Sequence, residues 1–173
     1  MATVTKRIEP HRRLGLSSTP ILQIAQVASA SYVKGAPVYI DSDGYLAASP
    51  TASVSSADAI DTAAADIFGF VAEDGANSAS NTSKVAVIPA LPGMIFKGQL
   101  ISTTSAALAT SAQTDVGAAM GLAKLSGDTH YGVDKSTASS RDCVLVVELI
   151  DPVGTSGGQV GFMVRDTWNQ ARL

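Results

Sequence analysis

The chain has 173 residues, of which 46% are hydrophobic, 16% are charged and 5% are aromatic. This length suffices for one ordinary domain with a buried core and argues against a second full domain. The lone cysteine, Cys143, excludes an internal disulfide and a multi-cysteine metal site, and the lack of an apolar run of about 18 residues argues against a membrane-spanning helix.

The first predicted element is an extended basic arm over residues 1–20. It contains Pro10 and Pro20 and shows no sustained helical or strand period. Its basic residues are Lys6, Arg7, Arg12 and Arg13, and its one acidic residue is Glu9. The rest of the chain contains more acidic than basic residues. Because no aromatic residue lies among the basic residues of the arm, we expect no direct nucleic-acid binding. We expect the arm either to be disordered or to become ordered on a neighbouring subunit.

A β core is predicted over residues 21–153. By periodicity, residues 21–33 fit either a helix or a strand, and the segments that follow favour a strand. Residues 36–49 predict a β-hairpin, because Asp43-Gly44 supplies a turn that tolerates positive φ. A calcium loop fits the acidic residues here less well, since the glycine comes too early for an EF-hand.

Two Ser/Thr/Ala-rich tracts interrupt this core, at residues 47–66 and 102–119. The first predicts a long loop or a loosely helical excursion, and the second a loop or a short hairpin. Other short apolar runs predict strands at residues 67–72, 84–88, 94–96 and 120–125. Gly69 marks a bulge or a close backbone approach. Residues 127–140 are typical of a polar connection, and the β-branched run at 143–150 predicts a central strand.

Residues 154–173 are predicted to form a C-terminal strand and tail. The glycine-rich start of this segment predicts a flexible joint, and residues 160–164 predict a last strand or a link to the tail. The only tryptophan, Trp168, lies between Arg165 and Arg172. It has two interpretations of equal weight, a plug on the chain's own core or an anchor in a partner's pocket.

The sequence shows no recognisable set of catalytic or metal-binding residues. His11 and His130 lie in polar stretches with no second imidazole or cysteine nearby. No phosphate-binding glycine motif occurs. Gly154-Thr-Ser-Gly-Gly158 has the spacing of a Gly-x-Ser-x-Gly elbow, but it places its serine on a glycine-rich joint instead of a strand-to-helix turn. We therefore expect no enzyme activity, no catalytic residue, no metal site and no cofactor. The candidate partner-binding residues are Lys6, Arg7, Arg12, Arg13, Arg165, Trp168 and Arg172.

Three segments between residues 32 and 101 carry a resemblance to a known family. They read Lys34-Gly-Ala-Pro-Val-Tyr-Ile-Asp-Ser-Asp-Gly-Tyr-Leu, Ile67-Phe-Gly-Phe-Val-Ala-Glu-Asp-Gly-Ala and Lys84-Val-Ala-Val-Ile-Pro-Ala-Leu-Pro-Gly-Met. Their order resembles the small β-rich capsid decoration, or cement, proteins of tailed bacteriophages. The resemblance implies a non-enzymatic protein on the outside of an icosahedral head. Copies sit there as dimers or trimers at junctions of the major capsid protein and resist the pressure of packaged DNA.

The expected fold is mainly β, a single small β-barrel or β-sandwich of the β-tulip kind. The expected partners are the major capsid protein and further copies of this chain, with neither nucleic acid nor a membrane contacted directly. The expected location is the capsid exterior of a virion assembled in the host cytoplasm. Two other classes stay open: a self-assembling virion subunit of the major-capsid, tail or fibre kind, and a carbohydrate-binding or adhesion module. The latter needs a cluster of exposed aromatic residues, and the few aromatics are spread along the chain.

Overall fold

A computed structural model describes residues 3–13, 18–49, 51–54, 57–60, 66–75, 83–136 and 142–171. The protein is mainly β, as predicted, and its strands form two sheets. In chain order the strands are β1 (Glu9–Arg13), β2 (Leu22–Ala25), β3 (Pro37–Ile40), β4 (Leu46–Ala48), β5 (Thr51–Val54), β6 (Ala57–Ile60), β7 (Gly69–Val71), β8 (Lys84–Pro89), β9 (Met94–Ser102), β10 (Ala107–Leu108), β11 (Ala119–Leu125), β12 (Gly132–Asp134), β13 (Val144–Leu149) and β14 (Gln159–Val164). Two short 3-10 turns, Gln113–Asp115 and Asp166–Trp168, are also described.

The first sheet is organised around β9, the longest described strand. β9 pairs with β1, β10, β12 and β14. The pairing continues from β14 through β13, β11 and β6 to β5. Because β12 pairs with both β11 and β9, the strands β9, β14, β13, β11 and β12 form a closed circuit.

The main core lies between this circuit and the second sheet. Phe96 and Phe162 from the first sheet meet Phe70 from the second, and each ring is at most 1% exposed. The ring centroids of Phe70 and Phe96 are 4.5 Å apart, and that of Phe162 lies 6.0 Å from each. Their tilted and edge-on contacts stabilise the packing beyond the area that they bury. A chain with few aromatic residues thus places three of them at one point between the sheets.

The second sheet is antiparallel, in the order β2-β8-β7-β3-β4, and has a smaller core of its own. A bridge from Gln26, just after β2, to Leu46 at the start of β4 joins its two ends. The buried Tyr32 hydroxyl donates to the Leu46 carbonyl oxygen at 2.5 Å, and burial raises the pKa of this phenol to about 12. Gly69 lies so close to the backbone of Ile88 that a side chain would collide with it, which confirms the predicted close approach.

Most of the strand predictions are confirmed. Residues 21–33 contain β2, and residues 36–49 form the β3–β4 hairpin with Gly44 at φ +83° in its turn. The remaining predicted runs overlap β7, β8, β9, β11, β13 and β14, and β9 continues six residues beyond the predicted run at 94–96. β13 lies inside the first sheet between β14 and β11, as a central strand should.

The polar tracts hold more regular structure than the sequence predicts. The prediction of a long loop over residues 47–66 is wrong for its described part, because β5 and β6 pair there and β6 pairs with β11. Residues 127–140 contain β12, where only a connection was expected. Both segments pair with strands far along the chain, which local composition does not reveal. In residues 102–119 the short-hairpin alternative is confirmed, since β10 pairs back onto β9.

The glycine-rich segment after residue 153 is a fixed turn, so the prediction of a flexible joint is wrong. The backbone N–H of Gly154 donates to the Ser111 carbonyl at 2.8 Å, and that of Gly157 donates to the Ala109 carbonyl at 2.8 Å. Gly157 is also buried. These bonds hold the turn against the loop that precedes β11.

Residues 3–13, called here the N-terminal segment, belong to the first sheet and its core. β1 pairs antiparallel with β9, and Val4 and Ile8 are only 1% and 2% exposed. The described part of the predicted arm is therefore joined to the β core rather than extended away from it. Strand pairing and two buried apolar side chains outweigh the polar composition of the segment, while residues 14–17 lie outside the described residues.

Candidate interaction surface

Side chains of the body hold the backbone of the N-terminal segment. The Val4 N–H donates to Asp128 Oδ2 at 2.8 Å. The N–H groups of Thr5 and Lys6 donate to Gln99 Oε1 at 3.0 and 3.4 Å. Because Gln99 lies on β9, these bonds fix where the basic side chains emerge on the surface of the first sheet.

The predicted basic residues of this segment meet acidic residues of the same chain. The pairs are Lys6 with Asp151 at 3.2 Å, Arg7 with Asp74 at 3.1 Å and Arg12 with Glu148 at 3.1 Å. The basic excess of the segment is thus largely compensated within the molecule. Since exposed ion pairs contribute at most about 1 kcal/mol each, these pairs orient the side chains more than they stabilise the fold.

Arg7 connects three parts of the chain. Its Nε donates to His130 Nε2 at 2.8 Å, and its Nη1 contacts both oxygens of Asp74. Asp74 Oδ1 also accepts the backbone N–H of Lys34 at 2.8 Å. This backbone bond, followed by the bond from Arg7, lowers the pKa of Asp74 below its ordinary value.

Glu9 is shared by two lysines. Its oxygens lie 3.4 Å from Lys34 Nζ and 3.2 Å from Lys97 Nζ. Partial burial raises the pKa of Glu9, but the hydrogen bond from Lys97 and the charges of both lysines outweigh that effect and lower it. Glu9 is therefore an ionised, internal ligand for two cations.

The C-terminal candidates are held by the body as well. Arg165 Nη1 donates to the Asp142 carbonyl oxygen at 2.8 Å. Trp168 is half-buried and packs against the main core, which is the contact that the plug interpretation predicts. Arg172 and the side chain of Arg13 lie outside the described residues, although the backbone of Arg13 ends β1.

The predicted partner-binding residues whose side chains the structure describes form two separate groups on the surface. Lys6 lies near the start of β14, since its partner Asp151 also accepts the Gln159 N–H. Arg165 directly follows the end of the same strand. At about 3.3 Å per residue, the six residues of β14 separate the two groups by roughly 16 to 20 Å.

Sequence reasoning missed the acidic side of this surface. It noted one acidic residue in the arm and named no carboxylate as a partner of the basic residues, whereas the structure places Glu9, Asp74 and Asp151 beside them. The signal was present in the opposite charges of the first twenty residues and the rest of the chain. Opposite net charges in one chain favour contact in cis, but only the fold shows which carboxylate meets which cation.

The described residues offer little for covalent or metal chemistry. Among them, no three His, Cys, Asp or Glu side chains are placed to hold a metal ion. Cys143 is fully buried, and burial raises the pKa of its thiol to about 12. It is therefore protonated at neutral pH and inert as a nucleophile. Within the described ranges, no helix has the length and apolar character needed to cross a bilayer.

Compared with protein-family models, curated proteins and solved structures, the chain matches none of them. The case for a function therefore rests on the chain's own residues and on their geometry.

Proposed function

We propose that this protein is a structural virion component that binds the outer surface of an icosahedral phage head and stabilises contacts between major capsid protein subunits. It acts without catalysis, as a dimer or trimer, and joins the head in the host cytoplasm. The sequence resemblance between residues 32 and 101 supports this role. The structural observation that carries it is the fastening of both described chain ends to a β body with a closed circuit of strands.

Fastened ends suit a cement protein because load enters at surface contacts and has to pass through the body. At one end, β1 pairs with β9, and Ile8 is buried in the main core. At the other, Asn169 Nδ2 donates to the Ala90 carbonyl at 2.5 Å, and the Gln170 N–H donates to the Ile67 carbonyl at 2.9 Å. Force on the N-terminal end is therefore carried by sheet hydrogen bonds, and force on the C-terminal end by bonds to residues close to β7 and β8.

The described surface also offers an apolar contact. Ile21 and Leu22 are 58% and 42% exposed, and they are neighbours at the start of β2, an edge strand of the second sheet. Adjacent exposed apolar side chains on a sheet edge are stabilised when another protein covers them. We expect the capsid surface to bury this pair.

Sedimentation with phage heads tests the proposal. The purified protein is mixed with expanded empty heads that lack it and, separately, with unexpanded heads. It should pellet with the expanded heads only, and it should raise the temperature at which those heads break open. In the absence of heads it should remain a dimer or trimer.

Three results would overturn the proposal. Shells or tubes formed by the protein alone would indicate a self-assembling virion subunit. Retention on a glycan array without any binding to heads would indicate an adhesion module. Equal pelleting with both head forms would remove the link to expansion and to pressure resistance.

A further inference from the structure

An open, charged depression of about 340 Å³ lies where the N-terminal segment meets β9 and β14. Its lining residues are Thr5, Lys6, Arg7, Glu9, Lys97 and Gln159. The lining thus holds three cations and one carboxylate, and its remaining side chains are neutral and polar. Its excess of positive charge distinguishes the depression from the acidic body around it.

The cations of the depression are incompletely satisfied by their internal partners. Among the described residues, the ion-pair partner of Lys97 is Glu9, which it shares with Lys34. An ammonium group carries three N–H donors, and a guanidinium group carries five. The side chains of Lys6, Arg7 and Lys97 stay 44%, 35% and 31% exposed. Donor hydrogens are therefore available to an incoming anion from the solvent side.

We propose that this depression binds a single carboxylate side chain of a partner protein. The inference rests on the proposed function only for the identity of that partner, a capsid subunit. A nucleic-acid backbone fits less well, because Asp74 and Asp151 flank the cations and repel an extended polyanion. Among the described residues, the lining contains no aromatic ring on which a base could stack. In the described part of the chain Lys97 pairs with Glu9 and with neither of these acids, so one carboxylate can bind at Lys97 without contacting them.

The test uses the whole purified chain and two capped glycine peptides, one with a single central glutamate and the other with glutamine at that position. Amide signals of Thr5, Lys97 and Gln159 are followed by NMR as each peptide is added. The glutamate peptide should shift these three signals in a saturable way, and the glutamine peptide should not. Raising the salt from about 50 to about 500 mM should weaken the effect, because the Debye length falls severalfold.

Two variants should change the affinity in opposite directions, and a third serves as a control. Lys97→Gln removes a cation and should weaken binding of the glutamate peptide about fivefold, as expected for an exposed ion pair. Glu9→Gln removes the competing internal carboxylate and should strengthen binding by a similar factor. Lys84 is the exposed first residue of β8 and lies outside the lining, so Lys84→Gln should leave the affinity unchanged. Unaltered NMR spectra away from each substitution verify the fold.

The outcomes separate this inference from the proposed function. Equal shifts with both peptides, or variants that all match the wild type, would overturn the carboxylate site even if the protein pellets with expanded heads. Selective, variant-sensitive binding of the glutamate peptide would support the site even if the protein ignored heads, and the proposed function alone would then fail. Tighter binding of single-stranded DNA than of the glutamate peptide at equal salt would also overturn the inference.

Discussion

Gly35 shows how one residue determines the path of the N-terminal segment. Its φ is +81°, and a Cβ placed on it would lie 2.6 Å from the Ile8 carbonyl oxygen. Gly35→Ala should therefore lower the free energy of unfolding by about 3 kcal/mol, since strain at positive φ and a backbone collision combine. Chemical denaturation measures this loss.

The hairpin turn supplies a matched control for that substitution. Gly44 has φ +83°, and nothing lies within 4 Å of a Cβ placed there. Gly44→Ala should cost only the conformational strain, about 1 kcal/mol. Equal losses at Gly35 and Gly44 would show that the close approach to Ile8 contributes nothing.

Asp151 gives the fold a share of its acid sensitivity. Its Oδ2 accepts the Gln159 N–H at 2.9 Å, and this bond, with a smaller effect of Lys6, lowers the pKa of Asp151. A carboxylate with a lowered folded pKa stabilises the fold above the ordinary value of about 4, and the contribution is lost as the pH falls through the folded pKa. Asp151→Asn should thus reduce the loss of unfolding free energy between about pH 5 and pH 2 by at most about 1 kcal/mol. Its denaturant midpoint should therefore fall less steeply with decreasing pH than that of the wild type.

Lys6→Gln distinguishes the two causes of that lowered pKa. Because the backbone N–H of Gln159 is the larger cause, this variant should keep most of the acid sensitivity of the wild type. Denaturant midpoints measured across the same pH range compare the two variants. A Lys6→Gln profile as flat as that of Asp151→Asn would assign the effect to the ion pair instead.

At the scale of elements, the N-terminal segment behaves as a strand of the core, so a single buried side chain should report on it. Ile8 is 2% exposed, and Ile8→Ala should destabilise the fold by about 2 to 4 kcal/mol through lost burial and a cavity. Ile21→Ala makes the same change at a side chain that is 58% exposed, and should stay within about 0.5 kcal/mol of the wild type. Similar urea midpoints for the two variants would mean that the segment detaches without cost.

The elements predicted well from sequence are those whose signals are local. The β3–β4 hairpin is specified by Asp43-Gly44 between two apolar runs, and β13 by a continuous β-branched run. By contrast, β6 and β12 have weakly apolar sequences and pair with strands far along the chain, β6 with β11 and β12 with β9. The same contrast holds for the candidate surface. Its basic residues can be identified from the sequence, whereas their acidic partners come close to them only through contacts between distant parts of the chain.

The whole molecule has two sheets that share one main core, which predicts that they unfold together. Trp168 packs against that core, and its carbonyl oxygen accepts the N–H of Ile67, a residue next to the second sheet, at 2.8 Å. The fluorescence of Trp168 therefore reports on the junction between the two sheets. Far-UV circular dichroism reports on the strands of both sheets. In a denaturant titration, tryptophan fluorescence and circular dichroism should therefore give coincident transitions with one midpoint, as two-state unfolding requires. If the fluorescence transition came at lower denaturant, the C-terminal segment would be releasing from an intact core. Load applied at that chain end would then bypass the sheets, and the structural argument for a cement protein would lose its support.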